Sequence, residues 1–169
     1  MVQASRRKGT KMLKWIQRIA FVAAIALVVI QVYRPGRTNP AVDPKQEIHG
    51  VLSVDPQVAS VLNRACNDCH SNRTVWPWYS NVAPASWLVT SDVRRGRAAM
   101  NLSEWGKYGP RARQEHLKAM CSEVAEAEMP AFQYTILHPE AKLNAAEKAA
   151  VCRWTKSVMQ SGAEPIVED

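Results

Sequence analysis

Three residues have types and a spacing that could do specific chemistry: Cys66, Cys69 and His70, in the order Cys-Asn-Asp-Cys-His. Two thiols three positions apart can each form a thioether with one of the two vinyl groups of a single haem. The histidine directly after the second thiol then lies under the ring and can ligate the iron. The motif therefore predicts one covalently bound haem c, held by Cys66 and Cys69, with His70 as an axial ligand.

Two other interpretations of the paired cysteines remain open. A thioredoxin-type redox pair usually follows a strand in a βαβ unit, whereas residues 55–65 predict a short helix. Asp55 suits its N-cap and Pro56 its first position. A zinc site would need Cys121, Cys152 or a distant histidine to complete a tetrahedron, and the sequence has no second C-x-x-C.

The second axial ligand of the iron decides between electron transfer and ligand chemistry. Met129 precedes Pro130 in a predicted loop between two helices, from which a thioether can reach the distal face. We expect Met129 to be this ligand, although most methionines merely fill space in a core. His138 is the second candidate, and an open or water-filled site is the third.

The net charge of +7 is concentrated at the N-terminus. Residues 1–37 carry eight basic residues and no acidic ones, and the remainder of the chain is nearly neutral. The high pI therefore reflects the N-terminal segment, and it gives no support for binding of nucleic acid.

An apolar run follows these first positive charges and predicts a membrane anchor. Residues 12–33 are long enough to span if their basic side chains reach the headgroups. A cleaved signal peptide is the alternative, but the A-x-A site at 24–26 lies inside the apolar run. Residues 1–11 should stay in the cytoplasm. The rest of the chain is then expected outside the cytoplasmic membrane, on the periplasmic or outer side, where c-type haem is attached.

The remainder is expected to contain one domain. Residues 34–54 contain prolines among polar residues and predict a tether. Residues 55–161 predict a helical haem-binding domain, and 162–169 a C-terminal tail.

Local signals within the domain predict three further helices. Pro84 is expected to open a helix that ends near Gly96 or Met100, and Pro110 to open another. Asn144 and Glu147, three residues apart, resemble the capping box of the last helix.

Four aromatic residues follow the paired cysteines and could pack against a haem: Trp76, Trp78, Tyr79 and Trp87. A domain of this size buries only a modest core of its own, so a haem would supply apolar surface. Ordinary core packing is the alternative for these side chains, and an indole N–H could also bind a haem propionate.

The order of motifs resembles class I cytochromes c, and more specifically the bacterial haem-binding domain family of small c-type haem proteins. The resemblance covers about residues 50–160. It rests on these segments: Cys69-His70-Ser71-Asn72, Trp76-Pro77-Trp78-Tyr79-Ser80, Ala83-Pro84, Ser86-Trp87-Leu88, Asp92-Val93, Gly96-Arg97, Asn101, Ser103-Glu104-Trp105, Met129-Pro130 and Leu137-His138-Pro139. It implies covalent haem c and often a single membrane anchor. The expected fold is all-α, a cytochrome c-like helical domain around one covalent haem, preceded by a single N-terminal transmembrane helix.

Two cysteines remain once a haem has used the first pair. Exported thiols tend to oxidise, and Cys121 and Cys152 each adjoin the apolar stripe of a predicted helix. We expect a disulfide between them that closes a loop around Met129. Two buried free thiols that act as small apolar residues are the alternative.

The sequence thus favours a membrane-anchored electron carrier over a catalyst, with an unidentified redox protein as its partner. A haem-based sensor or peroxidase-like protein with an exchangeable distal site is one alternative, and a haem-free C-x-x-C thiol redox module is another. A group of arginines could bind an acidic partner, although a solvated helix face explains them better: Arg94, Arg95, Arg97, Arg111 and Arg113.

Overall fold

The computed structural model describes the chain from residue 2 to residue 162, and its side chains from residue 11 onward. All regular structure in that part of the chain is helical, as the sequence predicts. The chain divides into two compact units, Met1–Gly36 with Pro77–Thr90 and Arg37–Trp76 with Ser91–Asp169. The predicted tail, 162–169, lies outside the described residues apart from its first residue.

The first unit begins with helix α1, Val2–Val29, which continues into a 3₁₀ turn, Ile30–Val32. Within it, Lys11–Val32 is long and apolar enough to cross a membrane, and none of this stretch is buried by the rest of the protein. The unit also contains a 3₁₀ turn, Trp78–Asn81, and the first residues of helix α5, Ala85–Ala99.

The second unit contains the remaining helices. Its elements are α2 (Ile48–Val51), α3 (Pro56–Val61), a π-helical segment (Leu62–Cys66), α4 (Asn67–His70), the end of α5, a 3₁₀ segment (Leu102–Lys107), α6 (Pro110–Ala125), α7 (Phe132–Leu137), a 3₁₀ turn (Pro139–Ala141) and α8 (Ala145–Gln160). Helices α6 and α8 pack along each other, and α3 packs against α8. Their apolar faces form the core, which includes Val61, Leu117, Met120, Val151 and Trp154.

The capping residues of this unit act as the sequence predicts. The Asp55 carboxylate accepts a hydrogen bond from the backbone N–H of Gln57 at 2.8 Å, at the start of α3. The Asn144 side chain accepts from the Glu147 N–H at 3.0 Å, while the Glu147 carboxylate accepts from the Asn144 N–H at 2.9 Å. These two bonds are a capping box, and they satisfy N–H groups that the first turn of α8 would leave unpaired.

The segment that precedes α3 is more ordered than a tether. Ile48, Val51 and Leu52 are buried in the core, although the sequence analysis placed them in the tether 34–54. The backbone N–H of Gly106 also donates to the carbonyl oxygen of Gln46 at 2.9 Å. These apolar side chains are few and lie among prolines and polar residues, so no helical period reveals them.

Candidate functional site

Cys66, Cys69 and His70 lie on one nearly continuous stretch of helix. Cys66 ends the π-helical segment, and the other two belong to α4. Both thiols are free and partly exposed. A π-helical insertion widens a helix locally and occurs frequently at functional sites. The wider turn therefore lies directly at the residues that the motif assigns to haem attachment.

The imidazole of His70 is held by hydrogen bonds to the backbone. Its Nδ1 lies 3.0 Å from the carbonyl oxygen of Met100. A carbonyl oxygen can only accept, so Nδ1 must carry the proton and Nε2 keeps its lone pair. Burial lowers the pKa of His70, and hydrogen bonds to Met100 and Gly96 oppose that shift. A neutral imidazole with Nδ1–H bonded to a carbonyl is the usual form of a metal-ligating histidine.

The two free thiols both have raised pKa values. Burial raises the pKa of Cys66 to about 12, and the nearby Cys69 adds to this effect. Burial also raises the pKa of Cys69 to about 11, with further contributions from the carboxylates of Asp92 and Asp68. Thiols with such pKa values are protonated at neutral pH, whereas redox-active C-x-x-C pairs lower the pKa of one cysteine. Neither thiol thus has the lowered pKa that is typical of a redox-active C-x-x-C pair.

Helix α5 approaches the motif closely at Gly96. A Cβ atom placed on Gly96 would lie 2.5 Å from the carbonyl oxygen of Cys69. Real Cβ atoms do not come so near an oxygen, so only glycine permits this contact between α5 and α4. Gly96 thus has a role that the sequence analysis did not assign to it.

The residues that follow the motif are fixed by Arg97. Its guanidinium donates to the Ser71 carbonyl oxygen at 2.7 Å and to the Thr74 hydroxyl at 2.8 Å. It also donates to the Thr38 carbonyl oxygen at 2.8 Å and to the Asn39 side-chain oxygen at 2.9 Å. Arg97 is therefore a structural residue and not part of a purely solvated helix face, as the sequence suggested, whereas binding of an acidic partner by these arginines stays a prediction.

A hydrogen bond joins α7 to the motif. The Tyr134 hydroxyl donates to the Asp68 carboxylate at 2.8 Å, and Asp68 lies between the two thiols in sequence. Burial and the Asp68 charge both raise the pKa of Tyr134. The Tyr134 ring stacks on His138 with centroids 4.3 Å apart. No periodicity or motif in the sequence predicted this contact, because it joins residues far apart in the chain.

The two candidates for the second axial position differ in their surroundings. Met129 lies in the turn after α6 with its side chain 40% exposed, and its backbone N–H donates to the Glu123 carbonyl oxygen at 3.1 Å. His138 stacks on Tyr134, and its Nδ1 lies 3.1 Å from the Glu140 carboxylate. The imidazole of His138 is thus already engaged with two neighbours.

A disulfide joins Cys121 of α6 to Cys152 of α8, the pair suggested by the sequence, with Cα atoms 4.7 Å apart. It closes a loop that contains Met129. These sulfurs are consequently not available to a zinc ion. Among the described residues, no group of three or more His, Cys, Asp or Glu side chains could hold a metal ion.

The four aromatic residues assigned to haem packing belong to different units. Trp76 lies in the second unit, where its indole N–H donates to the Asn39 side chain at 3.2 Å. Trp78, Tyr79 and Trp87 belong to the first unit. Contact of these four side chains with a haem stays a prediction.

A family model described as a haem-binding domain matches residues 25–157, which is most of the chain. The matched region contains the paired cysteines, His70, the Met129 turn and the disulfide. No curated protein and no solved structure matches this chain.

Proposed function

This chain belongs to the haem-binding domain family, and from that premise we propose that it is a membrane-anchored c-type haem protein. Its proposed role is the transfer of single electrons through an iron ligated by His70 and Met129. The observation that carries the proposal is the C-x-x-C-H motif together with the Nδ1 bond of His70.

The residues present fit covalent attachment. Each thiol would add its S–H across one vinyl double bond. The S–H bond and the π bond break, a C–S and a C–H bond form, and the addition needs no oxidant or reductant. The two thiols that the addition needs, Cys66 and Cys69, are both free. The bound haem would supply the one-electron couple between ferric and ferrous iron.

His70 fits the first axial position. The Met100 carbonyl fixes the tautomer and the orientation of its ring, and Nε2 is then the only nitrogen with a lone pair to offer. The lowered pKa of His70 supports a neutral, ligating imidazole at physiological pH.

Met129 fits the second axial position better than His138. The bond between Tyr134 and Asp68 holds the segment after Met129 against the motif, and the Met129 thioether is partly exposed. His138 would have to leave its stacking partner and its carboxylate neighbour to ligate iron. A thioether also favours the ferrous state relative to a second imidazole, which suits an electron carrier.

Residues 11–32 support an anchor. At about 1.5 Å per residue the stretch Lys11–Val32 is about 33 Å long, and a bilayer core is about 30 Å thick. The basic residues before it favour a cytoplasmic N-terminus. The haem unit would then lie outside the cytoplasmic membrane, where the disulfide is also stable.

Covalent attachment is tested with Cys69→Ala, expressed together with cytochrome c maturation factors. We expect the variant to lose two-thioether attachment and its pyridine haemochrome peak to shift to that of a haem with an unreacted vinyl group. Cys121→Ala, which keeps the motif intact, should retain the peak of the unmodified protein. An unchanged peak in Cys69→Ala would refute covalent attachment at this motif.

Ligation by Met129 is tested with spectra of the oxidised and reduced protein, with and without CO. Met129→Ala should lose the far-red charge-transfer band of a thioether-ligated ferric haem and should bind CO readily. His138→Ala should keep the band. If the unmodified protein binds CO readily, the distal site is exchangeable, and a sensor or peroxidase-like function replaces electron transfer.

The anchor is tested by fractionation of the full-length protein. It should sediment with membranes and resist extraction with alkaline carbonate. A soluble protein whose N-terminus begins after the apolar run would instead identify this segment as a cleaved signal peptide.

A further inference from the structure

The first unit has an exposed apolar surface, of which Trp78 alone is also a candidate for contact with a haem. Its members are Trp78, Val82 and Leu88, with 78%, 47% and 50% of their side chains exposed. We call these three residues the interfacial surface. Large apolar side chains grouped on a protein surface usually mark contact with another protein or with a membrane.

Hydrogen bonds fix the segment that carries this surface to the end of helix α1. The Gln31 side chain accepts from the backbone N–H of Ala83 at 2.9 Å and donates to the carbonyl oxygen of the same residue at 3.1 Å. The Trp87 indole donates to the Tyr33 carbonyl oxygen at 2.9 Å, and the two rings lie 6.2 Å apart. Ala83 lies next to Val82 in the chain, so the interfacial surface begins directly beside the end of the apolar helix.

We propose that the interfacial surface lies in the bilayer, at the boundary between headgroups and acyl chains on the outer side of the anchor. The proposal rests on the proposed anchoring by residues 11–32. The apolar stretch ends at Val32, so Gln31 and Tyr33 lie where the hydrocarbon core ends. The headgroup layer there is about 5–8 Å thick, which leaves room for side chains from a segment bonded to these two residues.

The connection of this surface to the end of the apolar helix favours phospholipid over a protein partner as its occupant. Trp and Tyr are enriched at membrane interfaces because one end of the ring is apolar and the other can bond to water and headgroups. Tyr33 and Trp87 supply two such rings at the end of α1, and Trp78 supplies a third in the same unit. The aliphatic Val82 and Leu88 would enter the acyl layer beside them.

A second exposed apolar surface provides a matched control. Phe132, Ile136 and Leu137 on α7 are each more than half exposed, but they belong to the second unit. If apolar side chains bound lipid without specificity, this second surface would contact lipid as well. The proposal instead expects lipid contact at the first unit.

The test is photolabelling of the full-length haem protein in phosphatidylcholine vesicles. The probe is a phosphatidylcholine with a diazirine on the acyl carbons nearest the headgroup, and adducts are assigned by mass spectrometry of peptides. We expect adducts on residues 77–90 as well as on 11–33, and none on 132–137. Trp78→Glu should lose the adducts on 77–90 and keep those on 11–33, whereas Phe132→Glu should change neither.

The remaining outcomes separate the two proposals. Adducts on 11–33 without any on 77–90 would overturn the location of the interfacial surface in the bilayer, while the anchor would stand. The same result is expected if a second copy of the chain covers the surface, and it overturns the inference equally. Absence of adducts on 11–33 would overturn the anchor and, with it, this inference. Equal labelling of 77–90 and 132–137 would show attraction without specificity, which also overturns the inference.

Discussion

Arg97 ties the residues after the haem motif to the segment that precedes α2. Its guanidinium donates to Ser71, Thr74, Thr38 and Asn39 at distances of 2.7–2.9 Å. The Thr74 side chain is buried, and so is Ser71. Arg97→Ala removes four hydrogen bonds at once and leaves several acceptors at the motif without their donor.

The cost of this substitution can be estimated from these bonds. A hydrogen bond from a charged donor contributes about 1.5–3 kcal/mol when buried. Arg97 is only partly buried, so solvent screening reduces each bond to about 1 kcal/mol. We therefore expect Arg97→Ala to lower the free energy of unfolding by about 3–4 kcal/mol, which corresponds to a fall in Tm of about 10 °C for a domain of this size.

The assay is thermal unfolding of the full-length protein in detergent, followed by far-ultraviolet circular dichroism. Arg95→Ala on the same helix is the matched control, because the Arg95 side chain donates to the Ser91 hydroxyl one turn earlier on the same helix face. Its loss should cost less than about 0.5 kcal/mol. Arg97→Lys should fall between the two variants, since an ammonium group cannot span the same acceptors. Equal Tm values for Arg97→Ala and Arg95→Ala would refute the reasoning.

Two further predictions concern the packing around the motif. Gly96→Ala should lower the free energy of unfolding by about 1–3 kcal/mol in urea titrations, because its Cβ would meet the Cys69 carbonyl oxygen. Gly36→Ala, whose Cβ meets nothing within 4 Å, should change it by less than about 0.5 kcal/mol, and equal effects would contradict the close approach of α5. Replacing Cys121 and Cys152 together by alanine should lower the free energy of unfolding by about 3–4 kcal/mol, because the unfolded chain is no longer cross-linked. A double variant as stable as the parent in the same titrations would contradict this stabilisation by the disulfide.

Most features that the sequence predicted correctly are local, and the exception is the disulfide between Cys121 and Cys152, which joins residues 31 positions apart. Asp55 and the pair of Asn144 and Glu147 cap helices through bonds that span two or three residues, so the residue types alone reveal them. Pro110 opens α6 for the same kind of reason, since its ring suits the first helical position. The C-x-x-C-H motif is also local, and it points to the haem family that the comparison shows.

The features that the sequence did not reveal depend on contacts between distant residues. Ile48 is buried in the core although its neighbours in sequence resemble a tether. Its burial depends on which distant residues pack against it, and the local sequence does not show them. Arg97 resembles its exposed neighbour Arg95 in sequence, yet only Arg97 meets four acceptors. The bond between Tyr134 and Asp68 spans 66 residues, and no pattern in a single sequence encodes such a pair.

Three segments of the second unit converge on the residues that would hold the haem. Met100 orients His70 through a carbonyl, Gly96 lets α5 approach the second thiol, and Tyr134 bonds to the carboxylate between the thiols. A carbonyl oxygen is a weaker hydrogen-bond acceptor than a carboxylate, so it pulls less strongly on the Nδ1 proton of His70. The imidazole would therefore donate less electron density to a bound iron than one bonded to a carboxylate. Under the proposed ligation, this effect and the thioether of Met129 both favour ferrous iron. Both contributions would raise the reduction potential of the iron. One comes from the Met100 carbonyl that bonds to His70, and the other from the Met129 ligand.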